Sequence, residues 1–181
     1  MLRPIKELDG FSIHATDGLI GSVDKFYFDD ARWTIRYIVV DTGNWLSGRK
    51  VLISPLAVIE VDWAAREFDL TLTKSQIENS PDIDMDRPVE RQREIDYFNY
   101  YGWPYYGYGD GLGGTGAYAT ALTAAASFGA ERVMETPPQK SYGDPHLRST
   151  GEVIGYNFEA ADGELGHVDN FIVDDESWAI R

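Results

Sequence analysis

Cysteine is absent from the 181-residue sequence, which excludes disulfides, thiolate metal sites and cysteine nucleophiles. Basic residues are scarce: 16 Lys and Arg stand against 30 Asp and Glu, a formal charge of −14. An acidic surface repels phosphate backbones, so direct nucleic-acid binding is not expected. No run approaches the ~20 apolar residues that a membrane-spanning helix requires. The N-terminal residues have neither the apolar core nor the cleavage-like segment of a signal peptide. These absences point to a cytoplasmic protein without membrane insertion. The three histidines, His14, His146 and His167, do not stand at ligand spacing, and no serine or carboxylate pair stands in a catalytic frame. Ser54, just before Pro55, reads as a strand end. The expectation is a protein that is not an enzyme and carries no cofactor.

What the chain does have is a repeat. Residues 10–36, GFSIHATDGLIGSVDKFYFDDARWTIR, lie without a gap over residues 155–181, GYNFEAADGELGHVDNFIVDDESWAIR, after a shift of 145 positions, and 13 of the 27 aligned positions are identical. A fixed-period match of this kind marks a repeated structural unit. After Arg36 the first copy continues as YIVVDTGNWLSGRKVLIS, whereas the second stops at Arg181. This favours a piece of a longer two-barrel parent.

The first copy reads as strands. Phe11, Ile13 and Ala15 alternate with polar residues, the period-two pattern of a half-buried strand. Asp17-Gly18 signals a tight turn, and a second strand follows over Leu19–Phe28, with Gly21 marking a bulge or a close backbone approach. Trp33–Asp41 is a long, apolar, central strand. Shorter strands are expected over Arg49–Ile53, Val58–Trp63 and Glu67–Leu72. Thr73 and Gln76 make a capping box for a brief helix over Lys74–Asn79. Six short strands with little helix argue for a small β-barrel or rolled sheet. Beyond Ser80 the composition changes to an acidic stretch, a helix with Pro88 near its start, a Gly/Tyr tract and an alanine-rich helix over Ala117–Val133.

The stretches ATDGLIGSVDKFYFDD, WTIRYIVVDT and GRKVLISPLAVIEVDW, with Thr73–Asp84 behind them, resemble the PRC-barrel superfamily, and in particular bacterial proteins in which a Gly/Tyr-rich segment separates two such modules. The resemblance implies a mainly β fold, a six-stranded PRC-type barrel over residues 1–84. A Gly/Tyr-rich linker with short helices over 85–148 and the N-terminal half of a second module over 149–181 complete the organisation. The superfamily includes the cytoplasmic domain of the photosynthetic reaction-centre H subunit and the C-terminal domain of a ribosome maturation factor. It carries over a fold and an adaptor-like role, with no catalytic residues.

Sharper readings of single motifs give way to plainer ones. Asp24, Asp29 and Asp30, repeated as Asp169, Asp174 and Asp175, have the chemistry of a hard-cation site, but Asp also favours turns, and no metal site is assigned. Asp82, Asp84 and Asp86 alternate like the start of an EF-hand loop, yet Arg87 and Arg93 stand where its Gly and Glu belong. Gly111–Gly116, GLGGTG, lacks the strand that a dinucleotide fingerprint requires. The aromatic residues Trp45, Tyr100, Tyr101, Trp103, Tyr105 and Tyr106 are the candidate interaction surface, because Tyr and Trp dominate protein interfaces. The expected function is a non-catalytic adaptor that binds another protein or a second copy of itself, with the half-repeat padding or completing a barrel in a partner subunit. Two alternatives are a reaction-centre H-subunit-like role in photosynthetic electron or proton transfer, and ribosome-assembly or RNA-processing support through a ribosomal protein.

Overall fold

The computed structural model describes residues 1–81, 91–103, 146–161 and 163–181, with the backbone alone at 91–93 and 164. They divide between two compact units: residues 1–79 with 146–181 form one, and 80–145 the other. The fold is mainly β.

In the first unit, β1 (Leu2–Pro4) and a 3-10 turn (Ile5–Leu8) lead into β2 (Ser12–Ala15) and β3 (Gly18–Asp29), followed by β4 (Thr34–Asp41) and β5 (Lys50–Ile53). A 3-10 turn (Pro55–Ala57), β6 (Val58–Asp62), β7 (Glu67–Leu70) and α1 (Lys74–Glu78) complete the first copy. The second copy supplies β8 (Leu147–Ser149), α3 (Thr150–Val153), β9 (Asn157–Ala160), β10 (Gly163–His167) and β11 (Ile172–Asp174). The main sheet runs β5-β4-β3-β2-β7-β6, with β8 added as a seventh strand beside β3. All pairs are antiparallel except β2–β7. Among the described residues β5 and β6, the ends of this path, do not pair.

The six expected strands are present, shifted by a residue or two at their ends. Trp33 stays outside β4 because its backbone turns into the left-handed region, at φ 53°. Gly21 meets both expectations made of it. The β2–β3 register shifts between Ile13, opposite Gly21, and His14, and a Cβ built on Gly21 would lie 2.1 Å from the Asp41 carbonyl oxygen. The capping box also forms: the Gln76 N–H donates to Thr73 Oγ1 at 3.2 Å, and the Thr73 N–H donates to Gln76 Oε1 at 2.9 Å. Ser54 caps the second 3-10 turn by accepting from the Leu56 N–H.

The core is built by the inward faces of β2–β5 and β7, with Ile13, Phe26, Ile38, Ile53 and Phe68 fully buried. Burying an aliphatic or aromatic side chain of this size contributes about 1.5–3 kcal/mol. The second unit contributes α2 (Arg91–Tyr101) to the described residues. The alanine-rich segment 117–133, Pro88, and the motifs at 82–86 and 111–116 lie outside them.

Candidate interaction surface

The second copy lies across the first with an approximate two-fold relation that the 145-residue shift makes explicit. The lead-in of the first copy, β1, pairs with β11 of the second: Leu2 with Asp174, Arg3 with Val173, Pro4 with Ile172. The lead-in of the second, β8, pairs with the end of β3: Leu147 with Asp29, Arg148 with Phe28, Ser149 with Tyr27. Adding 145 to the first-copy member of each pair, and subtracting it from the second, turns one set into the other. Thus each lead-in strand is donated to the other copy. At the centre, Thr34 and Ala179 bridge each other, and they are themselves one shift apart. Beside them the Ile35 N–H donates to the Trp178 carbonyl at 2.9 Å, and the Ile180 N–H donates to the Trp33 carbonyl at 2.7 Å.

Side chains obey the same relation. Arg148 Nε lies 2.9 Å from Asp30 Oδ2, and its mate Arg3 lies 3.9 Å from Asp175. His146 Nδ1 lies 2.9 Å from Asp30 Oδ1, and the Met1 ammonium pairs with Asp175. Asp29 Oδ1 accepts from the Ala31 and Arg32 N–H groups, as Asp174 Oδ1 does from Glu176 and Ser177. The interface is also aromatic: Phe171 packs on Phe28 with centroids 5.1 Å apart, and Trp178 stacks on Phe68 at 6.1 Å.

These contacts account for the aspartate clusters. Asp24 pairs with Lys50 at 2.9 Å, Asp169 with Lys6 at 3.6 Å, and the other four brace turns or the interface. Partial burial works against the charge on Asp30, but the hydrogen bonds from His146 and Arg148 outweigh it and hold the carboxyl below its ordinary value. Backbone hydrogen bonds from Ser177 and Glu176 lower that of Asp174. Among the described residues no group of three or more acidic or histidine side chains is arranged to hold a metal ion.

The aromatic residues singled out in the sequence fall in different units. Trp45 lies half-buried in the β4–β5 loop, with the Lys74 ammonium 5.3 Å from its ring centroid. Tyr100, Tyr101 and Trp103 gather around the end of α2: Tyr101 stacks on Trp103 at 4.6 Å and meets Tyr100 edge-on at 4.9 Å. Tyr97 joins this cluster. Tyr105 and Tyr106 lie outside the described residues.

Three exposed apolar side chains of the first unit lie elsewhere, on the β9–β10 hairpin and at its entry. Tyr156, Phe158 and Leu165 are 59%, 56% and 74% exposed, whereas their counterparts Phe11, Ile13 and Ile20 are 2%, 0% and 1% exposed. Equivalent side chains thus form the core in one copy and an open face in the other. The physical reason is topological. In the first copy β2 pairs with β7, and β3 pairs with β4 along its length. In the second, β9 and β10 pair only with each other among the described residues. The alternation Tyr156, Phe158, Ala160 announces a buried face; that no strand among the described residues joins β9 and β10 to cover it is invisible in a linear string. The swapped lead-ins were legible in principle, because Leu2-Arg3 and Leu147-Arg148 match at the same shift.

No family model matches the chain, and no curated protein is found as its relative. No helix among the described residues is long and apolar enough to cross a membrane.

Proposed function

We propose that the protein is a non-catalytic adaptor whose work is protein–protein contact, and that its first copy is a six-stranded PRC-type barrel. The strand order β5-β4-β3-β2-β7-β6, with one parallel pair, and the single core built by β2–β5 and β7 support the barrel reading. The contact reading rests on one observation above all: Tyr156, Phe158 and Leu165 form an uncovered apolar face on a hairpin whose twin buries the same positions. Large exposed apolar groups clustered on one face mark an interaction surface, and a hairpin with unpaired edges invites strand addition.

The test uses the full chain with a photo-crosslinker in place of Phe158, together with sedimentation over a wide concentration range. The reading expects protein crosslinks from this position, to a second copy or to another chain, and any association to be lost in Phe158→Glu and Leu165→Glu. A chain that stays monomeric and captures no protein from position 158, in buffer or in cell extract, refutes it.

A further inference from the structure

The uncovered hairpin face has a template, because the first copy records what covers its own. We infer that the β9–β10 face is a docking site for a strand segment with the chemistry of β4–β7: a long apolar strand laid antiparallel along β10, and an amphipathic strand laid parallel to β9. This inference rests on the adaptor reading above and names the occupant of the same face.

Four observations converge on it. The first is the exposure of Tyr156, Phe158 and Leu165, whose counterparts are covered by the sheet that β4 and β7 complete. The second is a glycine. Gly21 is required because the Asp41 and Thr42 backbone presses on it, leaving 2.1 Å from a built Cβ to the Asp41 oxygen. Gly166, its mate, keeps a positive φ of 121°, yet among the described residues nothing lies within 4 Å of a built Cβ. A slot shaped for another backbone is open there.

The third is a cleft. In the first copy Trp63, in the β6–β7 turn, sits 5.6 Å from Phe11, and the Arg3 guanidinium lies 4.5 Å from its ring centroid. The mates of Phe11 and Arg3 are Tyr156 and Arg148, and both line an open cleft of about 460 Å³ shared with Glu152 and Val153. The cleft lies where a counterpart of Trp63 would rest. The fourth is register. Val173 already bridges Ile180, and the Arg181 N–H donates to the Ile172 carbonyl at 2.9 Å. This is the start of the β3–β4 ladder, in which Phe28 pairs with Ile35, and its direction leads along β10.

The experiment compares the chain with a version extended after Arg181 by a second copy of residues 37–81, which supplies the proposed segment in that register. Amide exchange in β9 and β10 is expected to slow at least about tenfold in the extended chain, and a photo-crosslinker at Phe158 to react with the added segment. Phe158→Glu should abolish that protection in the extended chain while leaving the melting temperature of the unextended chain within about 1–2 °C, as expected of an exposed position. Unchanged exchange at β9 and β10 in a soluble extended chain overturns the inference. So does continued crosslinking from position 158 to other molecules. In the latter case the face is adhesive but not built for these strands, and the adaptor reading stands alone.

Discussion

Trp33 and Trp178 are one shift apart and share a left-handed backbone, at φ 53° and 57°, but differ in surroundings. Trp178 is 8% exposed against Phe68, and Trp33 is 49% exposed beside Phe28. A tryptophan side chain offers up to about 250 Å² of surface. Trp178 then removes about 230 Å² from water and Trp33 about 130 Å², or about 6 and 3 kcal/mol at 25 cal/mol per Å². Such sums are upper bounds, and buried Trp→Ala changes cost about 3–5 kcal/mol. Trp178→Ala should therefore cost about 3–5 kcal/mol and Trp33→Ala about half as much. Because alanine inherits the same φ at both positions, backbone strain cancels from the comparison. Urea unfolding followed by far-ultraviolet circular dichroism reads the difference without relying on tryptophan fluorescence. If residues 146–181 release before the rest, the loss appears as faster exchange of the Ile35 amide, which donates to the Trp178 carbonyl. Equal losses, or a larger one for Trp33, with Ile35 exchange unchanged, would mean that the second copy is not held through this contact.

Gly21→Ala should cost at least about 3 kcal/mol, since its Cβ collides with fixed backbone, whereas Gly166→Ala, which adds only local strain, should cost about 1–2 kcal/mol; paired denaturation curves decide. Asp29 and Arg36, 3.4 Å apart with side chains 6% and 3% exposed, form a buried ion pair, and Asp29→Asn should lower stability by about 3–5 kcal/mol. Asp30 and Asp174 have carboxyls held below their ordinary 3.8 in the folded state, so their stabilising effect is complete above that value and is lost as pH falls through the folded values. Melting temperatures measured from neutral to strongly acidic pH should drop along this limb, and Asp30→Asn should make the drop shallower.

How much was legible in the sequence differs between the fold and the surface. Local signals carried the strands: alternation at Phe11–Ala15, the apolar run of β4 and the Thr73/Gln76 box each act over a few residues, and all appear in the structure. Gly21 was legible as a close approach, but not what approaches it, because Asp41 is twenty positions away and meets it only once β3 and β4 pair. The aspartates looked alike in the string. Their separate roles, from the Asp29 turn to the Asp30 pairing with Arg148, depend on which lead-in strand arrives beside them. Tyr156, Phe158 and Leu165 failed to stand out for the opposite reason. Their pattern is that of ordinary core, and only the sheet order shows that no strand among the described residues joins theirs.

The exchange of lead-in strands sets a timetable for biosynthesis. Leu2 pairs with Asp174, 172 positions later, so β1 leaves the ribosome long before its partner exists. At roughly 5–20 residues per second, about 10–30 seconds pass in which β1 has no strand to join. Every strand of the six-stranded path ends by Leu70, so all its pairings are available before β8 and β11 are made, and the donated pairings come last in the order of synthesis, like a clasp whose second half is supplied by the second copy.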